Sequence, residues 1–160
     1  MSTRKIRSLC EDDKDWLHQV IEKEWASDKI VSRGKVYFVD QLPGFVAIQK
    51  DARVGLLTYN INNEECEIIT LNSLIENQGI GSDLLDKIEK FSSSKGCKRI
   101  WVITTNDNLN ALRFYQKKGY NLSAFYRNAV EKARQLKPEI PSIGLNGIPI
   151  RDEIELEKIL

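Results

Sequence analysis

The chain has 160 residues, a length that fits one domain of common size. Hydrophobic residues make up 41% and charged residues 29%, the balance of a globular rather than a disordered protein. The formal net charge is +1, and basic residues stand beside acidic ones, as in Glu89-Lys90 and Glu131-Lys132. Because nucleic acids and anionic membranes attract clustered basic residues, the sequence predicts neither as a partner.

The three cysteines, Cys10, Cys66 and Cys97, are widely spaced and odd in number. This arrangement does not predict a disulfide framework, so we expect reduced and mostly buried thiols. His18 is the only histidine, and the sequence contains no Cys/His cluster of the kind that holds zinc. We therefore expect His18 on a solvated helix flank and no bound metal.

The sequence carries no sign of a targeting or membrane-spanning segment. Residues Met1 to Lys5 are not followed by the apolar core of a secretory signal. The apolar runs, such as Ile100 to Ile103, are far shorter than the ~20 residues that a spanning helix needs. Together with the expected reduced thiols, these features predict a cytoplasmic location and no membrane partner.

The first half of the chain predicts one helix followed by an antiparallel meander. Apolar residues recur at helical spacing from about Asp13 to Trp25. Ser32-Arg33-Gly34-Lys35 is turn-like, Val36 to Val39 is a short apolar run, and Leu42-Pro43-Gly44 is a turn signal. Three strand-like segments with short loops follow: Phe45 to Gln49, Val54 to Tyr59 and Cys66 to Leu71.

The second half predicts helices that alternate with strands. Gln78-Gly79-Ile80-Gly81-Ser82 opens a helix, and Asn108 caps another that ends at Gly119. The other predicted elements are strands from Arg99 to Thr104 and Tyr120 to Tyr126, a helix from Ala129 to Leu136, and a final strand from Ile150 to Leu156. This order predicts a single α/β domain with a mixed sheet.

The segment from Glu76 to Ser82 is glycine-rich and leads from a predicted strand into a helix. Glycines let backbone N–H groups approach phosphate oxygens, and the helix dipole adds about half a positive charge there. A Walker A motif is excluded because Ser82-Asp83 follows Gly81, and Leu84 stands where a dinucleotide fingerprint needs its third glycine. The pattern predicts an anion site of another kind, and a tight turn without a ligand is the alternative.

Two motifs in this sequence resemble those of the GNAT acetyltransferase superfamily. The family's acyl-CoA loop, Arg/Gln-x-x-Gly-x-Gly/Ala, matches residues 76–81 except at the first position, which is Glu76. The family's Asn-x-x-Ala-x-x-x-Tyr run, followed by Gly-aromatic, matches Asn108 to Tyr115 and then Gly119-Tyr120. The resemblance is best from Cys66 to Tyr126. It implies a mixed, mostly antiparallel sheet flanked by helices, acetyl-CoA as acetyl donor and an amine as acceptor.

The resemblance also implies which residues contact coenzyme A. Leu71 and Ser73 would present backbone groups to the pantetheine arm and the thioester. Asn108 would bond to pantetheine, and Tyr115 would face the sulfur. Glu76 is a departure from the family, because a carboxylate repels a diphosphate unless it turns away. The residues expected against the diphosphate are Gln78, Gly79, Ile80, Gly81 and Ser82.

Three side chains are candidates for proton transfer. A tyrosine pKa near ~10 and a thiol pKa near ~8.5 are close enough for Tyr115 to protonate the departing thiolate. An alkyl amine, with a pKa near ~10.4, must lose a proton before it attacks, and Glu67 or Glu65 could collect it. In a regular strand both glutamates share a face with Leu71, whose N–H could stabilise the oxyanion. Core packing is the alternative for Tyr115, and a solvated charge for either glutamate.

We expect the acceptor, a small-molecule or peptide amine, to bind between segments 27–44 and 128–147. Acidic residues within 152–157 favour a cationic amine, and a solvated edge strand blunted by charge is the alternative. Residues 1–160 are then one N-acetyltransferase domain, with 129–149 inserted between the last two strands. A non-catalytic acyl-CoA-binding module and a structural domain remain alternatives. The resemblance also allows a homodimer, for which the sequence indicates no interface.

Overall fold

Nine strands and four helices form the described part of the chain, residues 4–25 and 27–160 of a computed structural model. All four predicted helices are present, the last with the predicted bounds. The helices are α1 (Lys14–Trp25), α2 (Ile80–Ser94), α3 (Leu109–Lys117) and α4 (Ala129–Leu136). The strands are β1 (Arg4–Ser8), β2 (Lys29–Ser32), β3 (Lys35–Phe38), β4 (Gly44–Gln49), β5 (Ala52–Asn62), β6 (Glu65–Ser73), β7 (Arg99–Thr105), β8 (Asn121–Tyr126) and β9 (Glu153–Ile159).

Seven of these strands form one sheet in the order β1-β4-β5-β6-β7-β9-β8. Neighbouring strands are antiparallel except β6 and β7, which are parallel and are joined by the crossover helix α2. The prediction of a mixed, mostly antiparallel sheet flanked by helices is confirmed. β2 and β3 form a separate hairpin whose turn residues, Arg33 and Gly34, both have positive φ, as type I′ turns require.

Three strands differ from the sequence prediction. The sequence does not predict β1, because its residues are mostly charged and become a strand only by pairing with β4. Nor does it predict β2, which pairs with β3 in the hairpin. The final strand lies at Glu153–Ile159 rather than at Ile150–Leu156, between β7 and β8. β9 is therefore an interior strand, and its interpretation as a solvated edge strand is wrong.

The sheet separates two apolar cores. α2 and α3 cover one face, and α1 with the β2–β3 hairpin covers the other. Gly55 on β5 allows α2 to approach the sheet closely, since a Cβ there would lie 2.5 Å from Ile80 Cγ2. This contact places the first turn of α2 directly against the strands that form the middle of the sheet.

β6 contains a bulge at Ile69. Its pairing with β5 shifts register between the pairs Thr58–Thr70 and Tyr59–Ile68, which leaves Ile69 as an extra residue. An extra residue reverses the alternation of side chains beyond it, so the two ends of β6 follow different phases.

β6 and β7 separate at the bulge. Their last paired residues are Ile68 and Val102, although β6 continues to Ser73 and β7 to Thr105. The two parallel strands therefore leave an opening between residues 69–73 and 103–105, near the centre of the sheet.

None of the helices within residues 4–25 and 27–160 is long and apolar enough to cross a membrane. Cys66 and Cys97 are buried, Cys10 is exposed, and all three thiols are free. Residues 1–3, part of the segment in which no secretory signal is expected, lie outside the described residues.

Candidate functional site

The opening between β6 and β7 leaves strand backbone available to a ligand. Leu71 and Ser73 both lie on this part of β6, and they pair with β5 on the opposite side, through Leu57 and Gly55. An unpaired strand edge offers N–H and C=O groups to an extended molecule. The side chain of Ser73 turns to its own chain and donates to the Ile75 carbonyl at 2.9 Å.

The loop before α2 presents backbone N–H groups that have no acceptor among the residues the structure describes. Gly79, with φ of 73°, precedes the helix in a left-handed conformation that favours glycine. The first backbone hydrogen bond of the helix runs from the Asp83 N–H to the Gly79 carbonyl at 3.0 Å. No described residue accepts from the N–H groups of residues 78–82. These amides lie at the positive end of the α2 dipole, as an anion site requires.

The side chains around this loop carry both signs of charge. Glu76 is exposed, so its carboxylate can turn into solvent. The Gln78 side-chain oxygen accepts from Gln49 Nε2 at 3.0 Å, and the Gln78 carbonyl accepts from Arg4 Nη2 at 2.6 Å. Sequence reasoning missed Arg4, because it lies 74 positions from Gln78 and carries no local motif.

Tyr115 lies on the face of α3 that packs against the sheet, and it is 5% exposed. Its ring makes edge contacts with the rings of Phe114 and Tyr120, with centroids 5.1 and 5.4 Å away. Burial raises the pKa of Tyr115 above its ordinary value. The phenol therefore stays protonated at neutral pH and can donate a proton. The raised pKa also makes that transfer less balanced than ordinary tyrosine and thiol values predict.

Asn108 is the N-cap of α3. Its side-chain oxygen accepts from the Ala111 N–H at 3.1 Å, so the residue has a structural role of its own. The side-chain nitrogen forms no hydrogen bond with the described residues. Because α3 follows the free end of β7, that nitrogen is the group available for the predicted contact with pantetheine.

Glu67 is a buried carboxylate at the start of the opening, 5% exposed. It accepts from the Ser32 hydroxyl at 2.6 Å and from the Tyr37 hydroxyl at 3.0 Å. Burial raises the pKa of Glu67, and these two hydroxyls only partly oppose the effect. A carboxylate with a raised pKa is a stronger base than a carboxylate with the ordinary value. Glu67 lies where the pairing between β6 and β7 ends.

Glu65 has a different environment from Glu67. Its side chain is 44% exposed and pairs with Arg99 at 2.6 Å. Leu71 packs with the core under α2 and α3, whereas Glu67 contacts the β2–β3 hairpin on the other face. The prediction that both glutamates share a face with Leu71 is therefore wrong, because the bulge at Ile69 reverses the alternation.

A cleft of about 350 Å³ lies between the hairpin and the sheet. Ser32 and Tyr37 line it from the hairpin, and Glu65, Glu67 and Trp101 line it from the sheet. This cleft is open to solvent near Glu65 and reaches the buried carboxylate of Glu67. A smaller cleft of about 240 Å³, beside α1, contains none of the predicted site residues.

Arg33, in the hairpin turn, joins the hairpin to β9. Its backbone N–H donates to the Glu153 carboxylate at 3.1 Å, and its guanidinium donates to Glu155 at 3.3 Å. The guanidinium also lies over the rings of Tyr126 and Trp101, 4.9 and 5.6 Å from their centroids. Both glutamates are buried, so part of the acidic segment 152–157 is not solvated and contacts Arg33, which lines the cleft.

The proposed acid and base approach the opening from opposite faces of the sheet. Tyr115 belongs to the core under α2 and α3, on the same face as the glycine loop. Glu67 lies on the face covered by α1 and the hairpin. The gap between β6 and β7 is the place where a molecule bound on one face can react with a molecule bound on the other.

One cluster outside this region has the composition of a metal site. Ligand atoms of His18, Asp28 and Asp40 lie within 4.8 Å of one another, and the His18 Nε2 is 3.6 Å from the Asp40 carboxylate. His18 and Asp28 are exposed, which agrees with the predicted solvated flank for His18. The cluster is formed by residues far apart in sequence, which explains why no spacing motif indicates it.

Comparison with known proteins identifies the family. The model of the acetyltransferase (GNAT) family matches residues 6–120. Two curated proteins of Bacillus subtilis (strain 168), the uncharacterized proteins YdhI and YxbD, are similar to the chain over nearly its whole length. YdhI is 46% identical, with 92% of each chain covered, and YxbD is 47% identical, with 97% of this chain and 98% of YxbD covered.

Solved structures with low sequence identity share the fold. An IAA acetyltransferase from Bacillus cereus ATCC 14579 superimposes with a TM-score of 0.73 at 21% identity, covering 99% of this chain and 100% of the other. A GNAT family acetyltransferase from Elizabethkingia anophelis, with acetyl-CoA bound, gives a TM-score of 0.72 at 20% identity and 98% coverage of both chains. Both show the same architecture as the present chain.

Proposed function

The chain belongs to the acetyltransferase (GNAT) family, and we propose that it transfers the acetyl group of acetyl-CoA to an amine of a small molecule or peptide. The amine attacks the thioester directly while both substrates are bound. The observation that carries this proposal is the opening between β6 and β7. One face of the sheet carries Tyr115 and the glycine loop that suits a diphosphate, and the other face carries the cleft that ends at Glu67. The opening connects these two faces.

The donor substrate fits the free backbone groups on the α2 face. The N–H groups of residues 78–82 would hold the diphosphate, since they have no acceptor among the described residues and lie at a helix N-terminus. Leu71 and Ser73 on the open edge of β6 would pair with the amide groups of pantetheine. Asn108 would add its side-chain N–H, and this places the thioester near Tyr115.

The chemistry needs one base, one oxyanion donor and one acid. A protonated amine first gives one proton to the Glu67 carboxylate, directly or through water, and its neutral nitrogen then forms a bond to the carbonyl carbon. The Leu71 N–H stabilises the oxyanion. The C–S bond then breaks, and Tyr115 supplies a proton to the thiolate, so that an amide and coenzyme A leave the site. The second proton released by the nitrogen restores the Tyr115 hydroxyl through water, and Glu67 gives its proton to solvent. Glu65 is a weaker candidate base, because Arg99 holds it as an ion pair.

The acceptor would bind in the cleft between the hairpin and the sheet. Its amine end reaches Glu67. Arg33 lines the cleft and is held by Glu153 and Glu155. The proposal includes residues 1–160 as one domain, with residues 129–149, which contain α4, inserted between β8 and β9. A cytoplasmic location would keep the three free thiols reduced.

Calorimetry with coenzyme A, followed by a thiol-release assay, tests this proposal. We expect one coenzyme A per chain, and release of thiol from acetyl-CoA in the presence of at least one class of a panel of polyamines, amino acids and peptide N-termini. Mass spectrometry of the acceptor should show one added acetyl group. Absence of coenzyme A binding would overturn the proposal.

Binding without acetyl transfer would favour a non-catalytic acyl-CoA-binding module. Glu76 is the observation that supports this alternative, since the family motif has Arg or Gln there. A Glu76→Gln variant separates the two functions. Tighter coenzyme A binding by the variant, with thiol release still absent for every amine, would support the binding module.

A further inference from the structure

Arg4, on the edge strand β1, is attached to the glycine loop by two contacts. Its Nη2 donates to the Gln78 carbonyl at 2.6 Å, and its Nη1 forms an ion pair with Asp83 in the first turn of α2. The Arg4 side chain is only 14% exposed. Its cross-strand neighbour, Gln49, donates to the Gln78 side chain at 3.0 Å. The β1–β4 edge therefore holds both the backbone and the side chain of Gln78.

The contact with the Gln78 carbonyl determines the direction of the next N–H. In a planar trans peptide, the C=O of one residue and the N–H of the following residue point in opposite directions. Arg4 therefore holds the Gly79 N–H pointing away from β1. Glycine has more backbone freedom than any other residue type. Because Arg4 fixes the Gln78–Gly79 peptide, the freedom of Gly79 is restricted before a ligand binds.

The ion pair with Asp83 changes the charge of the same region. The loop from Glu76 to Ser82 contains no basic side chain, and Asp83, 46% exposed, adds a carboxylate to the first turn of α2. An unpaired carboxylate there would repel a bound diphosphate. Arg4 compensates the charge of Asp83 and leaves the backbone amides and the helix dipole to attract the anion.

We propose that Arg4 is a positioning residue for the diphosphate of the donor substrate. It acts through the Gln78–Gly79 peptide, which it holds in place, and through Asp83, whose charge it neutralises. This inference rests on the proposed binding of acetyl-CoA. It predicts that Arg4 affects ligands that carry the diphosphate and does not affect shorter thioesters.

The test compares coenzyme A with S-acetylpantetheine, which has the thioester and pantetheine arm but no diphosphate. In Arg4→Ala, the Kd of coenzyme A and the KM of acetyl-CoA should rise roughly 10- to 100-fold, as expected for loss of charge-assisted hydrogen bonds. The kcat with acetyl-CoA and the kcat/KM with S-acetylpantetheine should stay within about twofold of wild type. Arg4→Lys should recover part of the affinity, because it keeps the charge and loses the two-pronged geometry.

Arg7→Ala is the matched control. Arg7 lies on the same strand and binds the buried Asp13 through two hydrogen bonds of 2.7 and 2.9 Å, so its loss should also lower stability. It has no contact with the loop, and coenzyme A affinity should be unchanged in the folded variant. Equal losses in the two variants, or an equal loss for coenzyme A and S-acetylpantetheine in Arg4→Ala, would overturn the role of Arg4. Failure of the wild type to bind coenzyme A would instead overturn the proposed function, and with it this inference.

Discussion

Glu67→Gln is the substitution that separates the proposed chemistry from the stability of the fold. The amide has nearly the shape of the carboxylate and keeps hydrogen bonds to Ser32 and Tyr37, since both hydroxyls can also accept. Folding raises the pKa of Glu67, so its contribution to stability is present at low pH and is lost as pH rises through the folded pKa. At neutral pH the neutral amide should therefore cost no more than about 1 kcal/mol in the free energy of unfolding.

The same substitution should lower turnover strongly. A positioned base contributes roughly 10²- to 10⁴-fold, so we expect kcat/KM for the amine at pH 7 to fall at least about 100-fold. In the wild-type enzyme the ionised carboxylate can take the proton from a protonated amine. Its kcat/KM should therefore reach a plateau above the pKa of Glu67. The variant needs amine that is already neutral, so its rate should rise about tenfold per pH unit toward pH ~10.

Steady-state kinetics from pH 5 to about 10, with urea unfolding of the same samples, provides the measurement. Glu65→Gln is the control, because Glu65 is also a strand glutamate beside the cleft but is partly exposed and paired with Arg99. It should change kcat/KM less than about threefold, as expected for a partly exposed ion pair. A Glu67→Gln profile with the wild-type shape would refute the assignment of the base, and so would equal losses in the two variants.

Three further predictions test the acid, the loop and the fold. Tyr115→Phe should lower kcat about 100-fold with little change in coenzyme A affinity or unfolding free energy, since no described group bonds to the hydroxyl. An unchanged kcat would remove Tyr115 from the mechanism. Gly79→Ala should weaken coenzyme A binding, measured by calorimetry, about 5- to 30-fold. The reason is that the left-handed backbone conformation costs alanine roughly 1–2 kcal/mol. Unchanged affinity would show that the loop can reorganise freely. Asp13→Asn should lose on the order of 2 kcal/mol of unfolding free energy at pH 7, because Arg7 and Arg53 would lose a buried partner and are themselves partly exposed. Hydrogen bonding to Arg7 lowers the pKa of Asp13 in the folded protein. The difference in unfolding free energy between wild type and variant should therefore shrink below pH ~4 and vanish below the pKa of Asp13 in the folded protein. A pH-independent difference would contradict the ion-pair explanation.

Local chemistry was enough to predict the conformations of the glycine loop and of both ends of α3. Gly79 adopts positive φ before α2, and Asn108 caps α3, at the positions that their sequence patterns indicate. Gly119 likewise has positive φ just after α3. These features depend on the conformational preferences of a few consecutive residues, so they can be recognised without knowledge of the partners in space.

The acceptor side depended on contacts between distant segments. Glu67 is buried because Ser32 and Tyr37 belong to a hairpin that folds over it, and neither hydroxyl is near it in sequence. The bulge at Ile69 decides which face each β6 side chain occupies, and a one-residue shift of this kind leaves little mark on the local sequence pattern.

The sequence by itself determined the family resemblance, the four helices, the glycine loop and the candidate residues Tyr115 and Glu67. Only the tertiary structure placed β9 inside the sheet, separated Glu67 from the face of Leu71, and brought Arg4 to Gln78. The physical reason is the range of the interactions. Turns and caps are stabilised by neighbouring residues, whereas strand order, register and ion pairs between remote segments form only when the whole sheet and both of its cores assemble.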